Sequence, residues 1–275
     1  MSADTPAVPM MAARELQGLL TNYRRTWRSS IFSSILAPLM GLVALGVSLG
    51  KIVDAGPGAH TFGTIDGRPV KYLVYLAPAL LANTAMQTAI GESTYPVLGS
   101  VKWVRTYYAA VASPLSPLDV YLGQVWFVGL RILMNSAVFL GTMALFGAVH
   151  AEGPGGIGPL LALPAAVLTG LAFAAPCVAW AVSQERDTGF SLVFRFVMIP
   201  LFLFSGTFFP VSQLPAVIQP FAYATPLWHG VDLCRSLALG TATAGSVLLH
   251  AAYLSALVAV GVWYGGRTFR RRLTP

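Results

Sequence analysis

The stretch SGTFFPVSQLPAVIQPFAYATPLWHG, Ser205–Gly230, holds no Asp, Glu, Lys or Arg and carries four prolines, Pro210, Pro215, Pro220 and Pro226. A run this poor in charge belongs in a core or a bilayer. Proline removes a backbone donor and breaks a helix interior, so one long helix cannot cover it. Short helices joined by turns satisfy both facts, and the rest of the chain decides where they are held.

The 275 residues are 56% apolar and 10% charged, with a mean hydropathy of +0.68. Soluble domains carry about 25% charged residues, so too little charge exists here to cover a water-facing surface. The expected class is an all-α integral membrane protein. Backbone groups in hydrocarbon must be satisfied internally, so each span is expected to be a helix. Six runs have the length to cross about 30 Å of hydrocarbon: about 31–50, 72–90, 120–149, 159–182, 191–209 and 247–266. Pro38, Pro78, Pro164, Pro176 and Pro200 lie within or close to them and are tolerated as kinks. The first run follows a basic stretch with no cleavage site behind it, so no cleavable signal is expected. Residues 1–29 form a tail and a flanking helix, 30–266 one transmembrane domain, and 267–275 a basic tail.

The net charge of +7 is distributed around the apolar runs, which fits membrane orientation and not a nucleic-acid face. With both termini inside, the inner segments hold Arg14, Arg24, Arg25, Arg28, Lys102, Arg105, Arg186, Arg267, Arg270, Arg271 and Arg272. The outer segments hold only Lys51, Arg68, Lys71 and Arg235, so both termini are expected in the cytoplasm of a multi-pass plasma-membrane protein. The opening stretch then starts at the outer end of the fifth span. Short helices dipping into the outer leaflet fit it, provided they are buried in protein or line a wet cavity.

Several segments carry candidate chemistry. Leu16, Leu20, Tyr23 and Trp27 recur at helical spacing, with Arg14, Gln17, Arg24 and Arg28 mainly on other faces; this reads as an amphipathic interfacial helix. In the inner loop, Val97, Val101, Val104 and Tyr108 form one face of a short helix with Lys102 and Arg105 turned away, either to dock a soluble partner or to hug the membrane. Asn83 and Gln87 share a face of the second span, where they line a pathway or bond a neighbouring helix. Arg131, deep in the third span, either pairs with Glu92 or Glu185 or lines a substrate path. Arg195 lies near an inner edge and is expected to snorkel. His229, Asp232 and Arg235 fall at a spacing of three on one helical stripe, which reads as an outer salt-bridge and gating stripe. Cys177 and Cys234 are expected to lie far apart, with no disulfide, and no cluster suggests a metal. GVSLGKI, Gly46–Ile52, has three residues between its glycines and Ile after Lys, so it is not a phosphate loop. No cofactor is expected in this chain; if it moves substrate with ATP, a partner ATPase must hold the ATP and Mg.

The continuation SGTFFPVSQLPAVIQPFAYATPLWHGVDLCRSLALG resembles type-2 ABC transporter permeases, and within them the nodulation lipo-oligosaccharide and daunorubicin-type drug-export permeases. The matching positions are Gly206, Phe209, Pro210, Leu214, Pro215, Pro226, Leu227, His229 and Arg235, with SPLSPLDVYLG, Ser113–Gly123, as a second match. The resemblance implies a connecting helix at about 12–28, a coupling helix within about 95–112 that includes Tyr95, and outer re-entrant helices over 206–237. It implies two permease chains, identical or related, paired with two ABC ATPase subunits. The path would run between the permeases, lined mainly by the first, second and fifth spans. The outer loop Lys51–Lys71 is longer and more polar than in compact members and either covers the mouth or binds an accessory protein. An amphipathic cargo follows: a lipid-linked saccharide, a glycolipid or a hydrophobic drug. Phe190, Phe194, Phe196, Phe202 and Phe204 suit such a cargo, and equally suit plain lipid contact. A membrane transferase should show acidic or His clusters at one face, and the acidic residues here are few and scattered. An ion-coupled secondary transporter favours mid-span carboxylates and inverted repeats, neither of which is visible. A non-transporting scaffold or sensor is the remaining alternative.

Overall fold

Capping residues set where two of the long helices begin. A computed structural model describes residues 11–24, 40–56, 62, 64–65, 68–148 and 157–274. Among the described residues the regular structure is helical apart from an antiparallel ladder of two residues a side, β1 (Thr64–Ile65) with β2 (Arg68–Pro69). Residues 11–24 form α1, and 40–55 form α2, whose Leu42–Leu49 section is π-helical. Helix α3 (Tyr72–Ser93) borrows its cap: the Asp54 carboxylate on α2 accepts from the Tyr72 amide at 2.9 Å. Two short helices follow, α4 (Tyr95–Lys102) and α5 (Thr106–Val111). Helix α6 (Pro117–Leu145) opens on a reciprocal Ser116/Asp119 capping box with proline in its first turn. Helix α7 (Gly158–Ala181) follows, then α8 (Thr188–Phe204), whose Val193–Met198 section is π-helical. A 3-10 turn at Val211–Gln213 leads to α9 (Gln219–Tyr223) and α10 (Pro226–Ala238). Helix α11 (Ala244–Leu273) starts on a Thr243/Ser246 capping box.

Among the described residues, four stretches are long and apolar enough to cross a bilayer: Tyr72–Lys102, Pro117–Leu145, Gly158–Ala181 and Ala244–Leu273. They fall on the second, third, fourth and sixth expected spans. The fifth is the shorter apolar helix α8. Of the first, residues 31–39 lie outside the described ones, as do Trp27 and Arg28 of the amphipathic segment; the helix continues past 50 to Ala55.

The boundaries differ from the hydropathy reading for local reasons. The fifth helix stops at Phe204, not 209, because the chain turns at Gly206 with φ 79°, a conformation that costs glycine little. The third begins at Pro117, where the capping box stands, and ends at Leu145. The expected basic tail is helix: α11 runs to Leu273, since Arg270, Arg271 and Arg272 complement the negative end of its dipole. Phe269 and Leu273 are buried there in a cluster with Tyr107, Tyr121 and Phe190.

Helix α7 is the centre, packing on α3, α6, α10 and α11. Its buried alanines, among them Ala162, Ala166, Ala174 and Ala175, let the neighbours approach closely. Helix α11 answers with Gly261 and Gly265. A Cβ on Gly261 would lie 2.6 Å from the Pro176 nitrogen and 2.7 Å from Ala175 Cβ, and one on Gly265 2.2 Å from Tyr121 Cε2.

Candidate functional site

At the end that the charge distribution assigns to the cytoplasm, the expected single coupling face is broken. Arg105 stands in the left-handed region (φ 58°, ψ 27°) and separates α4 from α5. That conformation costs a non-glycine residue roughly 1–2 kcal/mol. Val97 and Val101 therefore turn into the buried cluster with Tyr107, Val182 and Phe190, while Trp103 and Val104 are 62% and 71% exposed. Tyr95 and Tyr108 are also exposed; Tyr95 packs edge-on against Phe190. Lys102 Nζ donates to the Glu185 carbonyl at 2.9 Å. Val101, Lys102, Arg105, Tyr108, Arg186 and Arg272 line a cleft of about 640 Å³ with Glu185 at its edge.

Arg131 takes one of its two expected settings, pairing with Glu92. Its Nε and Nη2 stand 3.0 and 2.9 Å from Glu92 Oε1, Nη1 bonds the Tyr23 hydroxyl, and the guanidinium lies 4.6 Å from the Tyr23 ring centre. Three elements meet there: α1, α3 and α6. Leu16, Leu20 and Tyr23 are half-buried and Arg14, Gln17 and Arg24 exposed, the two faces read from spacing. Glu15 on the same helix is half-buried, and burial raises its carboxyl pKa.

Asn83 and Gln87 lie apart from Arg131. With Thr84 they line a small cavity of about 150 Å³ between α2, α3, α6 and α8. Asn83 is buried and, among the described residues, its Oδ1 has no hydrogen-bond partner.

At the opposite end the expected stripe of His229, Asp232 and Arg235 divides. Arg235 does not bridge to Asp232. Its Nη2 donates to the Gly206 carbonyl at 2.8 Å and more weakly to Thr207 at 3.4 Å, its Nε donates to the Tyr75 carbonyl at 3.1 Å, and it stacks 3.7 Å over the Tyr75 ring. It satisfies carbonyls freed where α8 ends and staples that turn to α3. His229 and Asp232 instead converge on His250 of α11. The two histidine Nδ1 atoms are 2.8 Å apart, and His250 Nε2 is 3.0 Å from Asp232 Oδ2. Tyr253 stacks on His229 at 3.8 Å and Trp228 meets both rings edge-on. Nε2–H of His250 donates to Asp232, the two Nδ1 atoms share a hydrogen whose owner the tautomers set, and His229 also bonds the Tyr223 backbone. Desolvation by burial, then the neighbouring His250, push His229 down from 6.5 to about 4, against a weaker upward pull from Asp232. Phe209, Pro210, Pro215 and Pro226 shape the turns between α8 and α10: Phe209 packs with Val211, Leu214, Ala222 and Trp228, and Pro226 opens α10 behind the Thr225 cap.

The family description "ABC-2 type transporter" matches residues 10–239. The chain belongs to the ABC-2 type transporter family. It is similar to Nodulation protein J of Rhizobium leguminosarum bv. viciae, 32% identical over 253 residues covering 90% of each chain. It is also similar to Nodulation protein J of Bradyrhizobium diazoefficiens, 30% identical over 254 residues (91% of this chain, 89% of that one), and of Sinorhizobium fredii, 28% over 251 (90% and 89%). The chain is thus an ABC-2 permease, a membrane subunit of an ABC exporter and not itself the catalytic part.

Among the residues of this ABC-2 permease that the sequence reading did not single out, three lie past residue 239 on α11. His250 carries a signal, since an ionisable residue inside a span is a site candidate. Gly261 and Gly265 carry another, the small-xxx-small spacing of close helix packing.

Proposed function

We propose that this permease exports an amphipathic, saccharide-bearing lipid out of the cell, driven by ATP hydrolysed on a separate ABC ATPase subunit. Both termini are cytoplasmic in this reading, and a second permease chain, a copy or a paralogue, completes the path. The name of the relatives, Nodulation protein J, agrees with the saccharide-lipid branch of the resemblance. The observation that carries the ATPase reading is the α4–α5 end. Trp103 and Val104 project from a left-handed break beside a cleft lined by Lys102, Arg105, Arg186 and Arg272 together with Glu185. An exposed aromatic and aliphatic tip held at a fixed backbone angle is a docking knob, and membrane lipid does not require one there.

The test is co-purification of the tagged chain in mild detergent, followed by vanadate-sensitive ATP hydrolysis with and without glycolipid. Val104→Asp should abolish recovery of the ATPase while membrane insertion is unchanged. Val101→Asp is the wrong probe, because Val101 is buried and its loss tests folding. A stable chain that recovers no ATPase sinks the reading in favour of a stand-alone transporter.

A further inference from the structure

The cavity between α2, α3, α6 and α8 has a composition that membrane packing alone does not call for. Leu45, Phe139 and Phe202 make its apolar walls, and Asn83, Thr84 and Gln87 bring polar groups from consecutive turns of α3. Asn83 is 3% exposed and its Oδ1 has no hydrogen-bond partner among the described residues. An unpaired buried amide oxygen costs about 1–3 kcal/mol, and leucine of similar size would remove that cost. Thr84 spends its hydroxyl proton on the Leu80 carbonyl at 2.8 Å, which leaves its oxygen free to accept. Gln87 is exposed at the cavity rim.

We infer that this cavity is a cargo subsite that receives one neutral hydrogen-bonding group of the transported lipid, a sugar hydroxyl or an acetamido group, with the adjoining C–H face of the sugar against Phe139 and Phe202. The inference rests on the saccharide-lipid reading above and names where in the permease that headgroup is read. The lining chemistry selects the class. None of the described cavity residues is charged, so among them a phosphate or an ammonium would be desolvated without a counter-charge. Amide and hydroxyl groups accept and donate in pairs, as a polyhydroxylated ring needs, and an aromatic face takes its apolar side. The size sets the reach: about 150 Å³ is below the 300–1,000 Å³ of a whole-ligand pocket, so one substituent is seated and the acyl chain stays outside. Three of the four helices around it, α2, α3 and α8, are those the resemblance assigned to the path; α6 adds Phe139.

The experiment uses the full chain in phosphatidylcholine nanodiscs, without the ATPase. Two probes carry the same fluorescent acyl chain, one bearing N-acetylglucosamine and the other a methyl ester. The unaltered chain should bind the sugar probe more tightly. Asn83→Leu should weaken that binding about tenfold or more and leave the methyl-ester probe unchanged, while its thermal midpoint holds or rises because an unpaired amide has gone. Gln87→Leu, at the exposed rim, should weaken the sugar probe without touching the fold. Equal sugar affinity in Asn83→Leu overturns the inference, and so does an Asn83→Leu chain that unfolds while Gln87→Leu binds normally, since the amide would then be structural. Because no ATPase takes part, loss of the ATPase partner strikes only the broader reading. A chain that prefers neither probe sinks the saccharide cargo and this subsite together.

Discussion

Neutralising Glu92 should harm the protein more than removing Arg131. The Arg131 side chain is 8% exposed and that of Glu92 25%, so the two ends of the pair have unequal access to water. In Glu92→Gln the guanidinium keeps the Tyr23 hydroxyl and ring but loses its counter-charge in a site that water barely reaches. Breaking a fully buried pair costs about 3–5 kcal/mol, and an exposed pair contributes about 0–1. With one partner a quarter exposed, about 2–3 kcal/mol is expected for Glu92→Gln. In Arg131→Met the carboxylate left behind can rehydrate, and about 1–2 kcal/mol is expected. The double substitution should be less damaging than the sum of the singles by about 1–2 kcal/mol, because neither charge is then stranded. Thermal unfolding in mild detergent can be followed with a thiol-reactive fluorophore in a Cys177→Ala background, since Cys177 is half-buried whereas Cys234 is buried and reacts only as the chain opens. Strict additivity of the two singles, or Arg131→Met proving the worse, would refute the reasoning.

Gly261→Ala drives a Cβ into backbone that cannot yield and should cost about 1–3 kcal/mol, whereas Gly245→Ala meets nothing within 4 Å and should be neutral or better in the same melt. His229 is held at about 4 against 6.5, so between those values the unfolded chain binds a proton that the folded chain refuses. The stability this group confers is complete above about pH 6.5 and is lost as the pH falls towards 4, so the wild-type melting midpoint should drop across that window more steeply than that of His229→Gln. Parallel pH profiles would remove His229 as the cause. Arg235→Leu strips the Gly206, Thr207 and Tyr75 carbonyls of a charged donor at a cost of about 3 kcal/mol; in proteoliposomes it should lower glycolipid moved per ATP hydrolysed, and a change confined to thermal stability would make the staple passive.

Much of this arrangement can be read from local chemistry. Four prolines in an uncharged run exclude one helix and demand several, and the segment after α8 folds that way. Ser116 and Thr243 announce the starts of α6 and α11 through side chains within three residues, so those ends could be placed from sequence alone. The break at Arg105 was not legible, because no glycine marks a left-handed residue there and spacing alone makes Val97, Val101, Val104 and Tyr108 one face. The division of the His229–Asp232–Arg235 stripe was hidden for another reason. A spacing of three says the side chains share a face, but their partners, His250 and the Gly206 turn, arrive from distant elements. Arg131 shows the converse: burial inside a span narrows its partners to the few carboxylates within reach, and Glu92 was one of the two named.

Helix α3 ties these sites together physically. Glu92 near its last turn holds Arg131 and through it Tyr23 of α1, and Tyr75 in its first turns lies under Arg235, which holds the end of α8. Asn83 lies between them, and seventeen residues of helix separate Tyr75 from Glu92, about 25 Å along the axis. At the Glu92 end α4 begins after Thr94 alone, and the Thr94 hydroxyl bonds back to the Ile90 carbonyl at 2.9 Å. If the proposed ATPase pushes on the exposed Val104 tip, a short helix with little slack before α3 would receive it. Packed helices shift between discrete arrangements and resist continuous bending. A step of α3 along α7 would then disturb the charge pair, the cavity at Asn83 and the turn at Gly206 together. That is why the Arg235 variant is read as cargo moved per ATP: if α3 carries the step, loosening its far end must uncouple transport while hydrolysis at the near end continues.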